Sequence, residues 1–181
     1  MPWGKRRGDD AEIVIFELTE QKKGPEAVAE ATELAELDPA DAIVWFVKGK
    51  AHYIDSQFEE ALACFSKAAE IDRENAQVWH MMGYALISLD RLAEAEQALA
   101  YVKAVQPENT EATCALGICQ AMAGKQKDAR DNFELAIAMN KPLAVAMMEH
   151  FNEKFVSISK ETAAGTKAMI ERVLETVKLV R

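Results

Sequence analysis

An all-α solenoid built from antiparallel helix pairs is the fold predicted by this 181-residue chain, and three observations predict it. The stretch Trp45-Phe-Val-Lys-Gly49 returns 34 residues later as Trp79-His-Met-Met-Gly83 and again as Thr113-Cys-Ala-Leu-Gly117. A fixed period of that length is the mark of stacked helical repeats. Behind each glycine a second pattern keeps step: Ala61, Phe65 and Ala68, then Ala95, Leu99 and Val102, then Ala129, Phe133 and Ala136. Small residues let two helices approach closely, and a large apolar residue one turn later fills the gap. Cap and turn residues fall on the same step as the packing residues, so local and long-range signals agree.

The three clear repeats span 42–75, 76–109 and 110–143, each read as two helices and a short turn. In the first, Ser56-x-x-Glu59 reads as a capping box ahead of a helix over 58–71. In the second, Asp90 is expected to cap a helix over 91–105, and in the third Gly124 should stop the first helix. Asn75 and Asn109 close the loops 72–75 and 106–109 as N-caps for the helices that follow.

One period upstream lies a degenerate repeat over about 8–41. Ala27, Ala31, Leu34 and Pro39 fit its second helix, and Gly24-Pro25 is a helix-start signal. Its first helix, over 10–22, holds the β-branched run Ile13-Val-Ile-Phe16. Helix is preferred there, because a lone strand would have no partner. Residues 1–8, with Trp3 and Lys5-Arg6-Arg7, form an N-terminal arm. Downstream, 144–156 reads as the first helix of a partial repeat, which ends the repeat domain at 9–156. Residues 157–165 break the pattern. Met169, Ile170, Val173, Leu174 and Val177 then mark an amphipathic helix over 166–180, so 157–181 is assigned as a C-terminal capping helix.

This pattern resembles the tetratricopeptide repeat (TPR) family, whose motif runs Trp-x2-Leu-Gly-x2-Tyr…Ala-x3-Phe…Pro. The second repeat carries Trp79, Met82, Gly83, Leu86, Ala95, Leu99 and Pro107 at those places. The first departs at Lys48, His52 and Arg73. The third lacks the Trp, has Gln120 at the aromatic position and bears its proline one residue late, at Pro142. The resemblance covers about two-thirds of the chain. It implies about four TPR-like repeats in a right-handed superhelix, with the first helix of each repeat lining a concave groove.

By that register the groove residues are Ile43, Phe46, Lys50, Tyr53 and Ile54; Gln77, His80, Tyr84, Ile87 and Ser88; and Glu111, Cys114, Ile118, Ala121 and Met122. Val145, Met148, Asn152 and Phe155 follow from the partial repeat. Such a face is too apolar to stand in water without a reason. The expectation is a non-catalytic scaffold or adaptor that holds a peptide or helix of another protein. Phe46, Lys50, Tyr53, His80, Tyr84, Ile87 and Ile118 are its expected contact residues. The alternative is a groove closed from within by the C-terminal helix or the Trp3 arm, or closed by a homodimer partner in a self-assembling structural protein.

Capture of an Hsp70 or Hsp90 tail is disfavoured by the same register. The family's chaperone adaptors hold the terminal carboxylate with Lys and Asn, then Asn, then Lys and Arg from successive repeats. This chain has Phe46 and Lys50, then Met81, then Glu111 and Ala115. One repeat earlier it has Glu12 and Phe16, then Val47, then Gln77 and Met81.

Composition narrows the remaining classes. A net charge of −9 and a pI near 4.9 argue against nucleic-acid binding, which needs a surplus of Lys and Arg. No run approaches the roughly 20 apolar residues of a spanning helix, and the basic amino terminus has no apolar region behind it. A cytoplasmic protein without membrane contact is expected. Cys64, Cys114 and Cys119, an odd count without CxxC, read as reduced core thiols.

Glycine-rich phosphate loops, HExxH and GxSxG are absent from the sequence. His52, His80 and His150 fall on separate repeats, which disfavours a metal site; His52 replaces a core aromatic residue and should be buried or half-buried. Glu59-Glu60, Glu94 and Glu96 read as a solvated face beside Lys67 and Lys103. No enzymatic activity, cofactor or metal is expected.

Overall fold

Helices start and stop on the 34-residue step that the sequence announces. In a computed structural model, which describes Ile13, Glu17 and residues 24–155 and 160–179, the described residues form helices and no strand. They are α1 (Gly24–Leu37), α2 (Ala42–Ile54), α3 (Phe58–Ile71), α4 (Ala76–Ser88), α5 (Leu92–Val105), α6 (Thr110–Met122), α7 (Gln126–Phe155) and α8 (Lys160–Leu179). Ile13 and Glu17 are also helical, while the rest of the helix expected over 10–22 and the arm at 1–8 lie outside the described residues.

The equal spacing has a local cause. Asp41 and Asn75 sit in extended backbone and accept from the N–H two residues on, at 2.8 and 3.1 Å. Asn109, one period further, accepts from Ala112 at 2.9 Å. Each cap satisfies one of the orphan donors that a helix start exposes. Trp45 and Trp79 repeat a second device: each indole N–H donates to a loop carbonyl six residues back, Pro39 at 2.8 Å and Arg73 at 2.9 Å.

The turns of the first two pairs correct the caps expected at Ser56 and Asp90. Ser56 and Asp90 do not cap; their φ values are 62° and 59°, and Gly124 at the equivalent place has 77°. The N-cap positions fall instead on Gln57 and Arg91, neither of which makes a side-chain cap bond. A left-handed residue after the first helix reverses the chain, and that reversal overrides capping.

Two compact units divide the chain at Leu89 and Asp90. In the first, α2 packs on α1, α3 and α4, and α3 packs on α4. Gly49 of α2 and Phe65 of α3 form one closest approach, with Val47, Ala61 and Ala68 buried around them. In the second unit α6 packs on α5, α7 and α8, and α7 on α8. Gly117 lies against Phe133 there, and Thr113, Cys114, Ala129 and Met148 are buried.

Two boundaries differ from expectation. Asn140 is non-helical (φ −151°, ψ 87°) and breaks α7, and its Oδ1 accepts from Leu143 N–H at 3.2 Å. The next helical stretch therefore starts at 141 rather than 144, because the loop found in earlier repeats is absent. Gly165 lies inside α8 rather than in a break, so that helix begins at Lys160.

Candidate functional site

Within the first unit, the face made by α2 and α4 holds six of the seven expected contact residues. Phe46, His80 and Ile87 are buried, whereas Lys50, Tyr53 and Tyr84 are half-buried. Helical spacing puts Phe46, Lys50 and Tyr53 on one side of α2, and His80, Tyr84 and Ile87 on one side of α4. Ile43 and Ile54, at the two ends of α2, are 37% and 49% exposed. The seventh residue, Ile118, belongs to the second unit, where it is buried.

Burial separates these six residues into buried and half-buried positions. Phe46 lies 5.9 Å from Phe65 between ring centroids, so it is tied to the core. Lys50 Nζ stands 5.5 Å from the Phe46 ring centroid, and the ring face attracts its charge. Tyr53 packs edge-on against Phe58 at 5.4 Å, and His80 lies 4.8 Å from Tyr84. Burial pushes the Tyr53 hydroxyl above its ordinary pKa, opposed by a hydrogen bond with Ser88. Tyr53 is thus a neutral hydroxyl at physiological pH.

His52 is buried as expected and is fixed in the turn. Its Nδ1–H donates to Gln57 Oε1 at 2.6 Å, while Gln57 Nε2 donates to Asp55 Oδ2 at 2.8 Å. Glu59, Glu60 and Glu94 are exposed, as a solvated face requires, whereas Glu96 is half-buried and so departs from that expectation. Lys67 stands 4.0 Å over the Trp45 ring, with Lys48 at 5.5 Å. The three cysteines are free and buried. Among the described residues, no group of three His, Cys, Asp or Glu side chains is placed to hold a metal ion, and no helix is long and apolar enough to cross a membrane.

The second unit replaces the aromatic position with a polar relay that sequence reading missed. Lys103 Nζ donates to Asn132 Oδ1 at 2.6 Å, and Asn132 Nδ2 donates to Gln120 Oε1 at 2.7 Å. Gln120 Nε2 then donates to Glu96 Oε1 at 3.2 Å, and Lys125 Nζ donates to Glu96 Oε2 at 2.6 Å. The Lys125 ammonium holds the Glu96 carboxyl below its ordinary pKa. Gln120 at an aromatic position was the available signal, since a buried amide requires partners.

Exposure on the first helices changes between units. Positions one period apart are Ile54, Ser88 and Met122: Ile54 is 49% exposed, Ser88 is half-buried and Met122 is 5% exposed. Lys50 and Tyr84 are half-buried where Ile118 is buried. Every residue of α6 except Glu111 is buried. Helix α8 packs on α6 and α7, and its Thr166, Met169, Ile170 and Leu174 are buried.

Two family models described as tetratricopeptide repeat match the chain, over residues 19–76 and 52–112. No curated protein matches it. Among solved structures the chain is similar to MamA 41-end from Desulfovibrio magneticus RS-1, with TM-score 0.71 and 16% identity over 96% of each chain. It is also similar to YrrB, described as a TPR protein with an unusual peptide-binding site: TM-score 0.64, 20% identity, 93% of this chain and 90% of that one. A third is the first TPR of Spaghetti (RPAP3) bound to the HSP90 peptide SRMEEVD, with TM-score 0.57 and 18% identity over 75% of this chain and 94% of that one. At these identities the likeness is one of fold.

Proposed function

Because the chain belongs to the tetratricopeptide repeat family, a fold of interaction scaffolds, we propose that it is a non-catalytic module that holds a helix or extended segment of a partner protein on the α2–α4 face. The observation that carries this reading is the grading of that face. Half-buried Tyr53 and Tyr84 and exposed Ile43 and Ile54 offer apolar contact above a floor of Phe46, His80 and Ile87. Aromatic side chains with little freedom left to lose suit an interface, and Lys50 supplies a cation for an acidic group in the segment.

Peptide binding in YrrB and in the RPAP3 domain supports the class of ligand. A chaperone carboxylate tail remains disfavoured, because Phe46, Met81, Glu111 and Ala115 stand where cations and amides would be needed.

The test is a pull-down from source-cell lysate that compares the natural chain with Lys50→Glu/Tyr84→Ser, both checked by circular dichroism. Loss of a specific protein in the variant supports the reading; identical recovery from both sinks it. Phe46 is left intact because a charge there would enter the core. A second reading, closure by the chain's own C-terminal helix, is favoured in the second unit by the packing of α8 on α6. Closure of the first face by a second copy predicts instead a mass that doubles with concentration and reverts in the same variant.

A further inference from the structure

We infer that the α6 face of the second unit is a seat for an amphipathic helix, filled in cis by α8 and open to a partner helix of the same pattern when α8 leaves. The inference rests on the reading above only in taking first helices as the binding face. Three observations carry it.

First, α6 is buried at the positions where its counterparts remain accessible, Met122 against Ile54 and Ile118 against Lys50 and Tyr84. In the first unit these positions are accessible, and in the second the C-terminal helix packs on the helix that carries them. Second, α8 is two-sided: Met169, Ile170 and Leu174 are buried, with Val173 half-buried beside them, while Lys167, Ala168, Glu171, Arg172, Glu175 and Thr176 are exposed. Third, among the described residues the polar contacts of its outer side stay within the helix. Lys167 pairs with Glu171 at 3.9 Å and Thr176 Oγ1 donates to the Arg172 carbonyl at 2.9 Å.

Apolar contact is non-directional, so a seat that reads a Met-Ile pair and a Leu four residues later accepts any helix offering that spacing. The partner is therefore an amphipathic helix with that apolar triplet and a charged reverse face. Its apparent affinity falls by the fraction of chains in which α8 is docked.

The test uses the full chain and a fluorescein-labelled synthetic peptide of residues 160–179, read by anisotropy. The natural chain is compared with Met169→Glu/Ile170→Glu, in which α8 cannot take its seat, with circular dichroism as the check on folding. The variant is expected to bind the peptide at least about tenfold more tightly, because its seat is vacant. The same peptide carrying both glutamates should not bind. Equal affinity for both chains, or equal binding of both peptides, overturns the inference.

Adding Tyr53→Ser/Tyr84→Ser to the variant separates the two faces. Unchanged binding places the peptide on the second unit. Lost binding places it on the first, which overturns this inference and leaves the earlier reading standing. If the double glutamate variant fails to fold, Ile170→Ala and hydrogen exchange of the natural chain decide. Amides of α8 should then open at least about tenfold more often than those of α6. Equal protection of the two helices overturns the inference.

Discussion

Phe65 occupies the space that a side chain at Gly49 would need: a Cβ there would lie 2.5 Å from Cε1 and 2.6 Å from Cδ1 of the ring. Gly117 stands in the same relation to Phe133, at 2.8 Å, with the Ala129 carbonyl at 3.2 Å. Ring and glycine together set how closely the two helices of a pair approach.

Gly49→Ala should therefore destabilise the chain by about 1–3 kcal/mol, as overpacking does, despite alanine's better helix propensity. Combined with Phe65→Leu, the loss should be smaller than the sum of the two single losses. Urea denaturation of the double-mutant cycle checks this, and additive losses would show that the two residues do not share the space.

The left-handed turn residues make a graded prediction. An L-residue in that region costs roughly 1–2 kcal/mol, partly offset by the lower entropy of its unfolded chain. Ser56→Gly should raise stability by up to about 1 kcal/mol, and Asp90→Gly by less, because Asp tolerates the region better. Gly124→Ala should lower it by about 1 kcal/mol. Thermal melts of the three variants give the order directly.

Asn132→Leu would remove the donor to Gln120 Oε1 and the acceptor for Lys103, leaving the Gln120 amide buried. The expected loss is about 1–3 kcal/mol, the cost of an unsatisfied buried group. Replacing both Gln120 and Asn132 with Leu should recover most of it, since a pair of apolar groups leaves nothing unsatisfied at the centre of the relay. Chemical denaturation would show a double variant close to the natural chain. A double variant weaker than either single one would contradict this account.

The thiols predict a pH dependence on the alkaline side. Burial pushes Cys114 and Cys119 up to about 12, and Glu96 adds to the rise at Cys119. A group whose folded pKa lies above its unfolded value stabilises the fold below the unfolded pKa, and that contribution is lost as pH rises through the folded one. Thermal stability should fall between about pH 8.5 and about 12 as the unfolded chain releases these protons. Cys114→Ala should flatten that fall. Iodoacetamide at about pH 8 should label the native thiols slowly and the urea-unfolded ones at once.

Much of the architecture is legible in the residues because its causes are local. Asp41, Asn75 and Asn109 each cap through an atom two or three residues away, and the Gly49–Phe65 fit recurs as Gly117–Phe133. Ser56, Asp90 and Gly124 also keep the step, so their shared turn could have been read from the period. The capping motif at Ser56 concealed it.

The candidate site is legible only in part. Register put Phe46, Tyr53, His80, Tyr84 and Ile87 on one face of one unit, but it could not separate the buried floor from the half-buried contacts. That division depends on what stands opposite each side chain, such as the Phe65 ring against Phe46. The packing of α8 on α6, where Ile118 and Met122 are buried, depends likewise on segments some fifty residues apart in sequence. Periodicity and capping act within a few turns of chain and are written in the sequence. Burial is a property of two surfaces meeting, and only the folded chain brings them together.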